Sequence, residues 1–215
     1  MAGDRKCLRK MIHDQIKPPF PSRAVAERRV LLASNSPRRR ELLAMIVPEF
    51  EVLKLVDVDE TYPDTLPAEE VPAFLSRLKA SACKGILKPN DIAITADTVV
   101  LVDNLILGKP TGHDDAVKML KLLRGKTHKV ITGVTLTWDS GTNSETFSAC
   151  TDVTFGNLTD EEIEEYVKRF RPFDKAGAYG IQEWIGGIGI EGMNGSFYNV
   201  MGLPVKMLYD HLKAL

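Results

Sequence analysis

The 215-residue chain has three cysteines, Cys7, Cys83 and Cys150, and they are far apart. An odd, scattered set forms neither a disulfide framework nor a metal knuckle, and it points to a reducing compartment. No apolar run approaches the roughly 18 residues of a membrane span. The charged N-terminal segment lacks the apolar centre of a signal peptide. The expected location is therefore cytoplasmic, with no membrane partner. The Asn-x-Ser/Thr triplets at Asn157 and Asn194 are then chance matches. Neither sign of charge is in excess, with 28 lysines and arginines against 29 aspartates and glutamates. That balance argues against a nucleic-acid coat, and no stable nucleic-acid complex is expected. Any phosphate binding must come from local clusters. A Walker A sequence and a nucleophile elbow are both missing. His13, His113, His128 and His211 do not cluster at metal-ligand spacing. Gly187-Ile188-Gly189-Ile190-Glu191-Gly192 matches G-x-G-x-x-G, but its position predicts a hairpin after it rather than a helix. The dinucleotide reading is rejected on that ground.

What is present suits a globular fold with a core. Residues 1–28 are basic and carry Lys17-Pro18-Pro19-Phe20-Pro21, which favours extended structure. They read as a loosely ordered extension, with an address signal or a dimer-docking arm as the alternative. Residues 29–215 read as one domain.

Val30–Ala33 is a short buried strand. Ser36 is an N-cap with Pro37 at the first helical position, and the helix ends before Pro48. Glu51–Val58 reads as a strand. Pro72 opens a helix with Leu75, Leu78, Ala82 and Ile86 on one face. The β-branched run Ile92–Val102 is a central strand. A helix over His113–Arg124 ends at Gly125. Lys129–Trp138 and Glu145–Phe155 are strands. Thr159 and Glu162 form a capping box for a helix over Asp160–Phe170. Asn194-Gly195 reads as a tight hairpin turn. The last helix runs from about Pro204 to Leu212. Early alternation of strands and helices, then adjacent strands, predicts an α/β domain with a mixed sheet.

Chemistry concentrates at a few places. Arg38 and Arg39 fall in the first turn of a helix, and Arg40 follows. A cation there costs on the order of 0.3–1 kcal/mol, because that helix end is already partly positive. An anion would reverse the sign, since free N–H groups and guanidinium forks both point at it. The plainer alternative is pairing with carboxylates such as Glu41. Asp97 lies inside an apolar strand, where a lone carboxylate needs a metal, a cation or a cleft. Lys109 and Lys175 flank small-residue turns, where a backbone can approach a ligand and lysine can meet phosphate. Lys79 faces away from the apolar stripe of its helix, so the plainer alternative there is a solvated lysine. Asp57, Asp59 and Glu60 form an acidic cluster suited to Mg²⁺, or simply a solvated loop.

In order along the chain, these pieces resemble the Maf family of nucleoside triphosphate pyrophosphatases. The matching segments are Leu32–Leu43, Asp57–Glu60, Lys79-Ala80, Ala96–Val100, Gly108-Lys109-Pro110, Gly125–Val130, Asp174–Gln182 and Asn194–Pro204. The resemblance covers about residues 29–215. It implies a Maf/ITPase-like fold, a long twisted mixed β-sheet flanked by helices, with two lobes around a nucleotide cleft. It implies cleavage between the α and β phosphates to give a monophosphate and pyrophosphate. A divalent cation, Mg²⁺ or else Mn²⁺, and a homodimer are implied as well. Asp97 matches the family's proton acceptor. Arg38, Thr98 and Gln182 match positions linked to base selection, and the Lys175–Gln182 block resembles the dTTP/UTP branch. Ser34, Arg38, Arg39, Lys79, Lys109 and Lys175 are expected to hold the substrate. Asp97 and Glu60 are the expected metal ligands, and whether Asp97 acts as base or ligand stays open. Two departures stand out. Phe170-Arg171-Pro172 replaces the usual Gly-Glu-Pro, and Glu183-Trp184 replaces the usual small residues after the glutamine. The rival readings are a non-catalytic nucleotide sensor and a DNA-binding regulator.

Overall fold

A computed structural model describes residues 21–55 and 58–215. Asp57 and residues 1–20 of the extension lie outside the described residues. Helix α1 (Arg23–Ala26) is capped by the Ser22 side chain and buries Val25 in the core. Strand β1 (Arg29–Leu32), helix α2 (Pro37–Ala44), β2 (Glu51–Val52), α3 (Val71–Cys83), β3 (Asp91–Val102) and β4 (Leu105–Leu107) follow. Then come α4 (His113–Leu123), β5 (Thr127–Trp138), β6 (Asn143–Phe155), α5 (Asp160–Phe170), α6 (Trp184–Gly189), β7 (Ile190–Asn194), α7 (Phe197–Met201) and α8 (Val205–Ala214). The local signals act as expected at two starts. Ser36 Oγ accepts from the Arg39 N–H with Pro37 beside it, and Thr159 and Glu162 close a reciprocal capping box.

The strands form one mixed sheet in the order β2-β1-β3-β5-β6-β7, with β4 paired to β3. β1 runs parallel to β2 and β3, and the other pairs are antiparallel. One consequence decides where a ligand can enter. β5 occupies one edge of β3 from Ile92 to Leu101. On the other edge β1 pairs only as far as Ile94, and β4 begins at Val100. Between them the sheet is open at the middle of its central strand, and Asp97 stands in that gap.

Side-chain alternation along β3 then sorts its residues between two faces. Ala93, Thr95, Asp97, Val99 and Leu101 face α3: Ala93 packs with Cys83, and Val99 and Leu101 with Val71 and Leu75. The opposite face carries two clusters. Ile92, Ile94 and Ala96 pack with Leu42, Leu43 and Leu208 of α2 and α8. Val100 and Val102 pack with Leu120, Ile163 and Val167 of α4 and α5. Thr98 falls between the clusters, so these are the two lobes. Gly133, which pairs with Asp97 across β3 and β5, lets α3 come close: an added Cβ would lie 2.4 Å from backbone atoms of Pro72 and Ala73.

Several expectations are corrected. Of the strand expected over Glu51–Val58, positions 56 and 57 lie outside the described residues, and among the rest ladder pairing is confined to Glu51 and Val52, because the partner β1 ends at Leu32. The buried face of α3 is Val71, Pro72, Leu75, Ser76, Ala80 and Cys83, and the helix ends before Ile86, which is exposed along with Ala82. Asn194-Gly195 is no hairpin turn: Ser196 caps α7 immediately after β7, so the chain turns into a helix. The helices α1, α6 and α7 and strand β4 have no counterpart among the elements expected from the sequence. A turn with positive φ at Asp103 and Asn104 folds β4 back on β3, and α6 forms despite three glycines. The rejected glycine run passes from the end of α6 into β7, the reverse of a dinucleotide-binding strand–helix order.

Candidate active site

The gap beside β3, between the ends of β1 and β4, joins both faces of the sheet into one cavity of about 820 Å³. Its wall contains Ser34, Arg38 and Arg39 from the β1–α2 turn, Glu60, and Lys79 from α3. Asp97 and Thr98 from β3, Lys109 after β4, and Lys175 and Gln182 complete it. The structure thus brings every expected site residue to one place. Among the described residues of the acidic cluster, Glu60 lines the cavity and Asp59 instead accepts from the Thr61 N–H in its own loop.

Asp97 is 9% exposed, and its partner is Lys79. The Lys79 ammonium lies 2.5 Å from Asp97 Oδ1 and 3.1 Å from Glu60 Oε1. The solvated-lysine alternative for Lys79 is therefore overturned: position 79 lies one turn from Leu75 and Ser76, at the border of the buried face. Two carboxylates converging on one cation are also what a metal that keeps waters and substrate oxygens requires. No cluster of three or more His, Cys, Asp or Glu ligands exists among the described residues. The donor set fits a shared, substrate-completed cation rather than an all-protein cage.

The two arginines differ. Arg38 reaches across the cleft to the second lobe, with Nη1 2.6 Å from Asp174 Oδ2 and Nη2 3.3 Å from the Asp174 carbonyl. Burial pushes the Asp174 carboxyl up, but hydrogen bonds from Lys175 and Arg38 outweigh it and bring it down to about 2. Arg39 instead holds the walls together. Its Nε donates to Gly202 O at 2.8 Å, Nη1 to Ala96 O at 2.8 Å and to Ser34 Oγ at 3.4 Å, and Nη2 to Thr98 Oγ1 at 3.0 Å. A guanidinium has five N–H donors, so one remains for a ligand. Burial lowers the Arg39 pKa, nearby Asp97 opposes that, and Arg38 adds to it. Thr98 Oγ1 also meets Thr132 Oγ1 at 3.0 Å, and Thr132 donates to the Asn199 carbonyl at 3.2 Å.

On the second lobe Lys175 is nearly buried and lies 2.8 Å from Asp174 Oδ1 and 3.0 Å from Glu183 Oε1. Lys109 is exposed at the mouth and has no ion-pair partner among the described residues. Gln182 is exposed on the cavity wall. Asp174 and Glu183 were not singled out as site residues from the sequence. Both immediately flank expected site residues, Lys175 and Gln182, and that adjacency was the available signal.

Behind the wall, His128 Nε2 meets the Tyr179 hydroxyl at 2.7 Å, while Nδ1 is buried without a partner. Burial lowers the His128 pKa from 6.5 to about 4. A depressed histidine contributes stability that is whole above pH 6.5 and is lost as pH falls towards 4. The loss is at most about 3 kcal/mol. The melting temperature of the wild type should fall as pH is lowered through that window, and His128→Phe should flatten the dependence. An unchanged slope in His128→Phe would remove His128 as its source.

The family model described as Maf-like protein matches residues 29–215. A dTTP/UTP pyrophosphatase of Phocaeicola vulgatus is 54% identical over 187 residues, 87% of this chain and 96% of that one. The protein of that name in Bacteroides thetaiotaomicron is 51% identical over 186 residues, 86% of this chain and 95% of its own length. One of the same name in Flavobacterium psychrophilum is 46% identical over 184 residues, covering 86% and 93%. With a nucleotide-sized cleft in a split mixed sheet and a family match over all but the N-terminal segment, this chain belongs to the Maf family.

Proposed function

We propose that the chain hydrolyses nucleoside triphosphates, with dTTP and UTP as substrates, between the α and β phosphates to give the monophosphate and pyrophosphate. The observation that carries this is a carboxylate, Asp97, in the gap of the central strand, ringed by a helix N-terminus and by Arg38, Lys79, Lys109 and Lys175. A triphosphate would add an anion at the N-terminus of α2 and beside Arg38, whose present counter-charge is the exposed Asp174. Lys79, Lys109 and Lys175 meet the outer phosphates as point charges. Asp97 Oδ1 accepts from Lys79, which leaves Oδ2 to orient the attacking water and take its proton. The water oxygen bonds to phosphorus as the bridging P–O bond breaks. Asp97 and Glu60 would hold a divalent cation, Mg²⁺ or else Mn²⁺, which when bound neutralises charge on the phosphate oxygens. Gln182 can both donate and accept, which suits the imide edge of uracil or thymine, and Arg38 and Thr98 shape the rest of the base site.

The same reading takes the working form as a cytoplasmic homodimer. Among the described residues, no helix is long and apolar enough to cross a membrane. A panel of nucleoside triphosphates with Mg²⁺ tests the substrate class. Turnover should be fastest for dTTP and UTP and at least about tenfold slower for purine nucleotides, the size of a difference of about 1.4 kcal/mol. Tight binding of dTTP with no turnover would instead make the chain a sensor.

A further inference from the structure

The surroundings of the Glu183 carboxylate give it a task. Its backbone N–H donates to Gly180 O at 3.0 Å, closing a turn with Ile181 and Gln182 at its corners. Its Oε1 lies 3.0 Å from Lys175 Nζ. Its Oε2 accepts from the Tyr166 hydroxyl, whose oxygen in turn accepts from the Gly180 N–H at 3.1 Å. Tyr166 is fully buried in α5. Burial, together with the Glu183 hydrogen bond, raises the Tyr166 hydroxyl, so it stays protonated and donates. The packing has no slack: a Cβ on Gly180 would lie 2.8 Å from Glu183 Cδ and 3.1 Å from Lys175 Cε.

Lys175 has a second carboxylate, Asp174, but Asp174 also holds Arg38 through its other oxygen. Glu183 is the carboxylate that serves Lys175 without sharing itself with a second cation. One side chain thus fixes both the turn that presents Gln182 and the ammonium that faces the cavity. We infer that Glu183 is a positioning residue that couples base selection to phosphate binding, which rests on the reading of Lys175 as a phosphate ligand and Gln182 as a base reader. Tyr166 anchors it. When Glu183 loses its charge, the lysine and the turn relax together, so affinity and discrimination fall together while the water-activating Asp97 is untouched.

The test is Glu183→Gln, which keeps the shape and the acceptor for Tyr166 but removes the charge. The KM for dTTP should rise about tenfold, as for loss of one charged hydrogen bond. The kcat/KM ratio of dTTP over dCTP should fall with it, and kcat should change less. Tyr166→Phe should move KM and the ratio the same way by a smaller factor, and it carries the test should Glu183→Gln fail to fold. A purely structural role would lower the melting temperature and leave the ratio alone. Lys175→Ala and Gln182→Ala serve as references for KM and ratio. If both references are silent, the underlying reading and this inference fall together. If they shift while Glu183→Gln keeps the wild-type KM and ratio, this inference alone falls.

Discussion

Asp97→Asn should lower dTTP turnover by about 10³-fold or more while the protein stays folded. A positioned general base contributes typically 10²–10⁴-fold. Asparagine is nearly isosteric, and it can still accept a hydrogen bond from Lys79, so the β3–α3 contact persists. What it cannot do is take a proton or carry the charge that a bound cation needs. Steady-state rates with dTTP and a thermal melt of the same sample check both halves. A variant with wild-type kcat would show that another group activates the water. A variant that is inactive and unfolded would show that Asp97 is chiefly the counter-charge for Lys79.

The second large effect is expected at Arg39, through stability as well as rate. Its four hydrogen bonds join α2, β3, Ser34 in the turn after β1, and Gly202 ahead of α8. Arg39→Met leaves the Ala96 and Gly202 carbonyls without their donor, at about 1–3 kcal/mol each. For a domain of this size that corresponds to a melting temperature lower by roughly 5–20 °C. Turnover should fall too, because Thr98 and the Ser34 turn lose their common strut. Lysine should not rescue it, since one ammonium cannot reproduce a planar fork that spans three segments. An Arg39→Lys protein with wild-type melting and wild-type kcat would contradict this role and return Arg39 to the surface of the cleft.

The distinction between the two arginines shows where sequence reading stops. Ser36, Pro37 and the arginines behind them are local signals, and capping is decided within four residues, so that turn was legible. So was Asp97, because a carboxylate inside a β-branched run conflicts with its neighbours. The partners were not legible. Arg38 meets Asp174 and Arg39 meets Gly202 across most of the chain, and nothing in the spacing of either residue encodes that. Lys79 illustrates the intermediate case: periodicity on Leu75, Leu78, Ala82 and Ile86 set it away from the apolar stripe, whereas the face that α3 packs on β3 borders it and turns it towards Asp97. The Asn194-Gly195 hairpin failed for a related reason. The dipeptide suits a tight turn, but the cap at Ser196, one residue later, sends the chain into α7 instead. The gap beside β3 is a property of three strands at once, since β1 stops at one register and β4 starts at another. A linear pattern does not contain it, although each short strand is visible in hindsight as a short apolar run.

The most direct test of the account is to incubate the protein with dTTP and Mg²⁺ and identify the products, with Asp97→Asn in parallel. Thymidine monophosphate and pyrophosphate in equal amounts, absent from the Asp97→Asn reaction, are the predicted result. Thymidine diphosphate and inorganic phosphate, or equal product from both proteins, would contradict it.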